Sequence, residues 1–363
     1  MNEGYFARLR RVTGFLLSVL VVAAALLVWL PSPSFGLWMA HFVSVELGRP
    51  IAFCGLAAAL ALSTWRGRWP ALLAALLVLV PGERTRLHLA DLPPPAERTL
   101  GPAPTVTRDV ALSPEVTADL YTPAGAGPFP LVVVVHGGSW HAGEKGEVPH
   151  VSMTLARLGS VVADVHYRLA PAHAFPTPLA DVKCAVGVLR ARPDVDTNRV
   201  HLLGRSAGGH LALMAALTAG LPDFAPSCPV PDLPVRGVAA MYPTTDLVYG
   251  DASPPWPDPI DNRGAYLELL GFAPSQDAER AAAASPVKYA ARATNLRVLL
   301  IHGEADRLVP VEHSARMAAA LRSAGYAPEL HRLPGVDHGF DHHPGGPTDA
   351  FALDRIAAQV FEP

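Results

Sequence analysis

The stretch Val200–Leu213, "VHLLGRSAGGHLAL", constrains the fold more than any other part of the chain. Apolar residues of strand character run into Gly204-Arg205-Ser206-Ala207-Gly208, and a helix-forming run follows at once. One serine between two glycines at such a junction implies a very tight turn. The serine must take a strained backbone conformation, and the residues two positions to either side must lack bulk. That turn lifts a hydroxyl clear of a sheet and aims the following helix N-terminus at it. It requires a buried strand behind the serine and a helix packed back onto the sheet, an α/β arrangement.

The surrounding sequence agrees with this requirement. "LVVVVHGG" and "VVADVHY" are continuous apolar runs of the kind buried on both faces of a parallel sheet. "TADLYTP" alternates as an exposed strand should, and "VRGVAAMYP", "NLRVLLIHG" and "APELHRLPG" complete the strand candidates. Helical patterns fill Val148–Leu158 and Leu179–Arg190, start at Ala207, span Val311–Ser323, and close the chain from Thr348. Strand and helix alternate, which predicts a mainly parallel sheet with helices on both faces. Sites in such sheets form beyond the carboxyl ends of the strands. The residues standing there are His136-Gly137-Gly138, Ser206, Tyr242-Pro243, Asp306 and His338.

Composition matters most at the front of the chain. Half of the 363 residues are apolar and 17% are charged, and the apolar excess lies before Pro93. Val12–Leu30 carries no charge over 19 residues and follows Arg8, Arg10 and Arg11. That length matches a hydrocarbon core, and the basic flank predicts a cytoplasmic N-terminus. The run is long for a cleaved signal peptide, and "PSPSFG" after it offers no small-x-small cleavage site. Leu37–Thr64 and Trp69–Val80 are further apolar segments, so residues 1–92 are expected to form a membrane region with one to three transmembrane helices. Residues 93–105 are a proline-rich spacer, and residues 106–363 form the α/β domain. One or three crossings place that domain on the extracytoplasmic side of the cell membrane; two would leave it in the cytoplasm. The expected partners are therefore a lipid bilayer and a small molecule. A net charge of −3 gives no case for nucleic acid, and nothing in the sequence sets an oligomeric state. Cys54 lies in an apolar run, whereas Cys184 and Cys228 fall in the α/β domain and could pair outside the cytosol.

A serine hydroxyl needs a base to act as a nucleophile. His338, after the last strand, is the candidate base, and Asp306, after the strand before it, is the candidate partner for the imidazole. The order Ser, Asp, His is the one this kind of sheet uses. Glu304 is the competing carboxylate, while Asp337 adjoins the histidine but should point elsewhere. "HGGSW" supplies backbone donors for a developing oxyanion: Gly137 and Gly138, with the Ala207 amide and a lesser contribution from Ser139. His136 is expected to brace that loop. Trp140, Tyr167 and Arg205 are candidate substrate-binding residues, although Tyr167 also suits the core. Pro222–Pro234 and Asp251–Ala284, the latter with Trp256, Tyr266 and Phe272, are insertions that suit either lids or plain packing. His342 and His343 follow His338 without an accompanying carboxylate or cysteine cluster, so no metal site is expected. No cofactor is called for.

From about Val106 onward the chain resembles the α/β-hydrolase superfamily, and most closely its esterase/lipase branch related to hormone-sensitive lipase and to bacterial feruloyl and acetyl esterases. "HGGSW", "HYRLAP", "GRSAGGHLAL", "YPTTDL", "HGEADRLVP" and "DHGF" carry the resemblance. It implies an eight-stranded α/β-hydrolase sheet, a Ser206-His338-Asp306 triad, and cleavage of carboxylic esters through an acyl-serine intermediate. The branch usually has Asp or Glu before the nucleophile, where this chain has Arg205. "HGGSW" is also similar to the H-G-G-x-W of kynurenine formamidase, which keeps an amidase, formamidase or peptidase open. A non-catalytic, membrane-tethered binding module is the third reading.

Overall fold

The computed structural model describes residues 3–29 and 95–362, with isolated positions 34, 36, 38, 39, 54 and 75 between them. The chain divides into two compact units, Met1–Pro93 with Pro255–Ile260, and Pro94–Pro254 with Asp261–Pro363.

In the first unit the described element is helix α1, Glu3–Trp29. Its described side chains include Phe15, Leu16 and Leu20, which are exposed. Among the described residues, no helix is long and apolar enough to cross a membrane. The further apolar segments expected at 37–64 and 69–80 lie outside the described residues, apart from single positions.

The second unit is one eight-stranded sheet in the order β1-β2-β4-β3-β5-β6-β7-β8. Its strands are β1 Thr105–Ala111, β2 Thr117–Thr122, β3 Phe129–Val135, β4 Val161–His166, β5 Val195–Arg205, β6 Gly237–Met241, β7 Arg297–Gly303 and β8 Glu329–Leu333. β1 and β2 pair antiparallel, as do β2 and β4; the other neighbours run parallel. Helices α2 (Pro149–Arg157), α3 (Thr177–Arg190), α4 (Ala207–Leu217), α8 (Glu312–Ser323) and α9 (Pro347–Phe361) sit within a residue or two of their expected positions. Three shorter helices, α5 (Leu247–Ala252), α6 (Asn262–Leu270) and α7 (Ala278–Ala283), lie between β6 and β7.

Consecutive residues of β3, β4, β6 and β7 are buried, so both faces of the central sheet are covered. α4 is buried at every position, which explains why "AGGHLALMAAL" lacks a polar face. The alternation in "TADLYTP" is misleading. β2 is not an exposed edge but is buried through its middle, because β1 takes the edge. β1 itself, "TVTRDVA", is mostly solvent-facing and holds by backbone pairing rather than apolar burial.

Cys184 and Cys228 form a disulfide with Cα atoms 5.4 Å apart. It anchors the segment after α4 to α3. Close by, the buried Lys183 ammonium donates to Thr218 O and Asp232 Oδ2, both at 2.8 Å. The Pro222–Pro234 insertion is thereby fastened where α4 ends and β6 begins, at the rim opposite Ser206.

Candidate active site

Ser206 follows β5 directly, with φ 53° and ψ −120°, and is the N-cap of α4. Such a conformation costs a non-glycine residue about 1–3 kcal/mol. Backbone bonds on both sides hold it: Ser206 N–H donates to Met241 O at 3.0 Å, and Ser206 O accepts from His210 N–H at 3.1 Å. The flanking glycines are sterically required. A Cβ on Gly204 would lie 2.2 Å from Gly208 O, and one on Gly208 would lie 2.2 Å from Val135 O. The bare helix start can therefore press against the ends of β3 and β5 and leave the serine standing clear, partly exposed.

Asp306 and His338 meet directly. His338 Nδ1 lies 2.7 Å from Asp306 Oδ2. Asp306 Oδ1 accepts the Leu308 and Val309 amides at 2.9 and 2.8 Å. His302 Nε2 is 3.2 Å from Oδ2. Burial alone would raise the Asp306 pKa, but His338 and His302 outweigh it and hold the group well below the ordinary carboxylate range. Gly303 makes the approach possible, since a Cβ there would sit 2.1 Å from Val336 O and push the histidine loop away. Glu304, the competing carboxylate, instead faces Arg332 Nε at 3.0 Å. Asp337 accepts the Arg307 and His338 amides.

Ser206 and His338 are joined through the end of β6. Ser206 N–H bonds to Met241 O. The next residue, Tyr242, has its ring centroid 4.3 Å from that of His338. The three strand ends carrying Ser206, Tyr242 and Asp306 are adjacent in the sheet.

The "HGGSW" loop follows β3 with three successive positive φ values: Gly138 at 104°, Ser139 at 51° and Trp140 at 63°. Gly137 lies against the nucleophile turn, where a Cβ would be 3.3 Å from Ser206 Cβ. The Gly138 carbonyl is occupied by the His141 and Ala142 amides. Among the described residues, no backbone acceptor outside the helices and strands takes the Gly138 or Ala207 N–H. His136 is fully buried. It stacks on Tyr167 at 4.3 Å, and its Nδ1 lies 2.8 Å from Gly137 O. Burial pushes its pKa down to about 3, so the ring is neutral at ordinary pH and braces the loop.

The candidate substrate-binding residues Trp140, Tyr167 and Arg205 lie inside the domain, as the core alternative for Tyr167 has it. All three are buried, at 2%, 0% and 4% exposure. Trp140 Nε1 donates to His210 Nδ1 at 3.0 Å, and the Tyr167 hydroxyl donates to His136 O at 3.2 Å. The Arg205 guanidinium faces Asp341 and Glu147. On α6, the buried Tyr266 ring packs 5.9 Å from that of Trp140, and Glu268 Oε2 is 2.5 Å from His141 Nδ1. Among the described residues, no group of three His, Cys, Asp or Glu could hold a metal ion. His302, Glu147 and Asp341 do not stand out as site residues in the sequence, and Tyr242 does so only as a residue at a strand end. The signal for Asp341 was present, since a buried arginine in place of the usual acid requires a carboxylate nearby.

Comparison with known proteins agrees with this architecture. The BD-FAE family model matches residues 118–321, more than half of the chain. Esterase LipC of Mycobacterium tuberculosis is 33% identical over 251 residues, covering 64% of this chain and 59% of its own. Isoprenylcysteine alpha-carbonyl methylesterase ICME of Arabidopsis thaliana is 28% identical over 257 residues, covering 67% and 56%. The chain spans about half the length of the curated relatives it matches. Among solved structures, a bacterial heroin esterase superposes with TM-score 0.57 at 26% identity, covering 77% of this chain and 89% of that one. The carboxylesterase EstE1, cloned from a metagenomic library, gives 0.56 at 25%, covering 77% and 94%. The chain belongs to the BD-FAE family, among the α/β-hydrolase esterases and lipases related to hormone-sensitive lipase.

Proposed function

We propose that this protein is a carboxylesterase-type serine hydrolase in which Ser206, His338 and Asp306 form the catalytic triad. The observation that carries the proposal is the 2.7 Å His338–Asp306 pair on the rim where Ser206 is held at φ 53°. Ser206 Oγ attacks the ester carbonyl carbon while His338 Nε2 takes its proton. The carbonyl oxygen becomes an oxyanion within reach of the Gly137, Gly138 and Ala207 amides. Collapse of the tetrahedral species breaks the carbon–oxygen bond to the alcohol, which leaves with the proton from His338. Water then repeats the sequence on the acyl-serine and releases the acid. Asp306 keeps the Nδ1–H tautomer and stabilises the imidazolium. No step needs a cofactor.

The proposal places the enzyme on a membrane, with its α/β domain on the extracytoplasmic side. Three observations support this part: the uncharged Val12–Leu30 run behind a basic flank, the outward-facing Phe15, Leu16 and Leu20 of α1, and a disulfide suited to an oxidising compartment.

Steady-state assay of the purified chain and of Ser206→Ala on p-nitrophenyl acetate and butyrate, beside N-formyl amides, tests the chemistry. Ester turnover lost in the variant is expected. Equal turnover in both proteins would overturn the mechanism, and a preference for amides would reassign the substrate. A reporter fused to the C-terminus tests the topology, and a cytoplasmic signal would contradict it.

A further inference from the structure

We propose that Arg205 is a positioning residue that locks the three loops of the site into one register through Glu147 and Asp341. The inference rests on the reading of Ser206 and His338 given above. Arg205 immediately precedes the serine and is fixed by β5. Its Nη2 lies 3.2 Å from Glu147 Oε2, on the segment that follows the "HGGSW" loop. Its Nη1 lies 3.3 Å from Asp341 Oδ2 and 3.3 Å from His342 Nε2, on the loop that carries His338. One guanidinium thus meets a carboxylate from the oxyanion side and another from the histidine side.

The second oxygen of Asp341 accepts the Tyr242 hydroxyl, and the Tyr242 ring faces the His338 ring. Tyr242 is in turn the residue after Met241, whose carbonyl holds the Ser206 amide. The contacts close a cycle: Ser206, Met241, Tyr242, Asp341, Arg205, and back to Ser206. His338 rests against the Tyr242 side of that cycle. Arg205, Tyr242 and Asp341 are all buried.

A network of this kind is a poor source of stability, because each ion gives up hydration to enter it. Its effect is geometric. Removing one member leaves an uncompensated buried charge, so the loops have one low-energy arrangement rather than several. The planar fork of arginine can face two carboxylates at once, which a lysine ammonium does on poorer geometry. An acid at position 205 would repel both Glu147 and Asp341. The arginine before the nucleophile and the aspartate three residues after His338 are therefore one paired feature. A catalytic group displaced by ~1 Å loses rate on the order of 100-fold.

The test measures kcat, KM and thermal melting of the full chain for Arg205→Met, Asp341→Asn, their double variant, Arg205→Lys and Tyr242→Phe, using p-nitrophenyl butyrate. Each of the first two is expected to lower kcat on the order of 10- to 100-fold, with KM near the parent value. The double variant should be no worse than the poorer single, since both remove one unit. Arg205→Lys should recover part of the loss. If Arg205→Met does not fold, Tyr242→Phe decides, because it deletes one hydroxyl and leaves the ion pairs in place. It should lower kcat severalfold. Unchanged kcat in Asp341→Asn and Tyr242→Phe, with only melting lowered, would reduce the network to a structural role and overturn the inference. Losses that multiply in the double variant would overturn it as well. Ser206→Ala in the same assay separates the two levels. If it is inactive while Asp341→Asn is fully active, this inference alone fails. If it is as active as the parent, the serine mechanism fails.

Discussion

The two insertions of the α/β domain look alike in sequence and lie at opposite ends of the sheet. Pro222–Pro234 is tied by the Cys184–Cys228 disulfide and by Lys183 where α4 ends and β6 begins. The helices after β6 instead reach the rim of Ser206, where Tyr266 packs on Trp140 and Glu268 meets His141. Proline and aromatic content does not distinguish them; chain direction does. In a parallel sheet each strand runs toward the catalytic rim and each helix returns to the other. An insertion between a helix and the next strand therefore falls at the far rim, and one that begins at a strand end falls over the site. The first insertion is expected to act on stability, the second on access to the rim.

The largest expected effect lies at the catalytic rim. Asp306→Asn keeps the shape but removes the charge that holds His338 in its tautomer, and should lower kcat roughly 10⁴-fold in protein that is still folded. A loss below tenfold would detach Asp306 from the chemistry. Replacing Cys184 and Cys228 with alanine should do the reverse. Opening a 44-residue separation costs about 4 kcal/mol in the chain-entropy account, read by urea unfolding, while kcat stays at the parent value. A fall in kcat at temperatures where the variant is fully folded would break the division between the two rims.

A third prediction sharpens the same division through pH. His201 lies near the start of the β5–β6 pairing. Burial, reinforced by Arg297, Arg199 and Arg236, lowers its pKa from 6.5 to about 4. The fold therefore favours the neutral ring. That stability is fully present above pH 6.5 and is lost as pH falls toward 4, because only the unfolded chain takes the proton. His201→Gln should flatten the acid loss of stability by about 1.4 kcal/mol per pH unit within that window. Identical slopes for parent and variant would refute it. The smallest effect belongs to Glu268→Gln. The His141–Glu268 pair is more than a third exposed on both sides, and such pairs contribute about 0–1 kcal/mol. A change of no more than about fivefold in KM, without change in kcat, is expected from steady-state kinetics.

Much of this fold was legible because its signals are local. Continuous apolar runs mark β3, β4 and β7, and the glycines around Ser206 and at 137–138 stand where a Cβ would strike backbone or the nucleophile. β1 was not legible, since its exposed Thr, Arg and Asp residues carry no hydrophobic pattern and its partner does the burying. Ser206, Asp306 and His338 could be picked out because each stands at a strand end with its own motif. The side chains around them could not be placed in the same way. Trp140 and Arg205 sit in motifs that suggest ligand contact, yet His210 and Asp341, distant in sequence, draw both inward. Burial of a side chain depends on what arrives from elsewhere in the chain, and a single sequence does not encode that locally.

The most direct test is covalent labelling. The purified chain is treated with a fluorophosphonate probe and digested, and the modified residue is located by mass spectrometry, with Asp306→Asn run in parallel. The account predicts a single modification on Ser206, formed rapidly in the parent and much more slowly in the variant. A chain that stays unlabelled, or a label on any other residue, would contradict it.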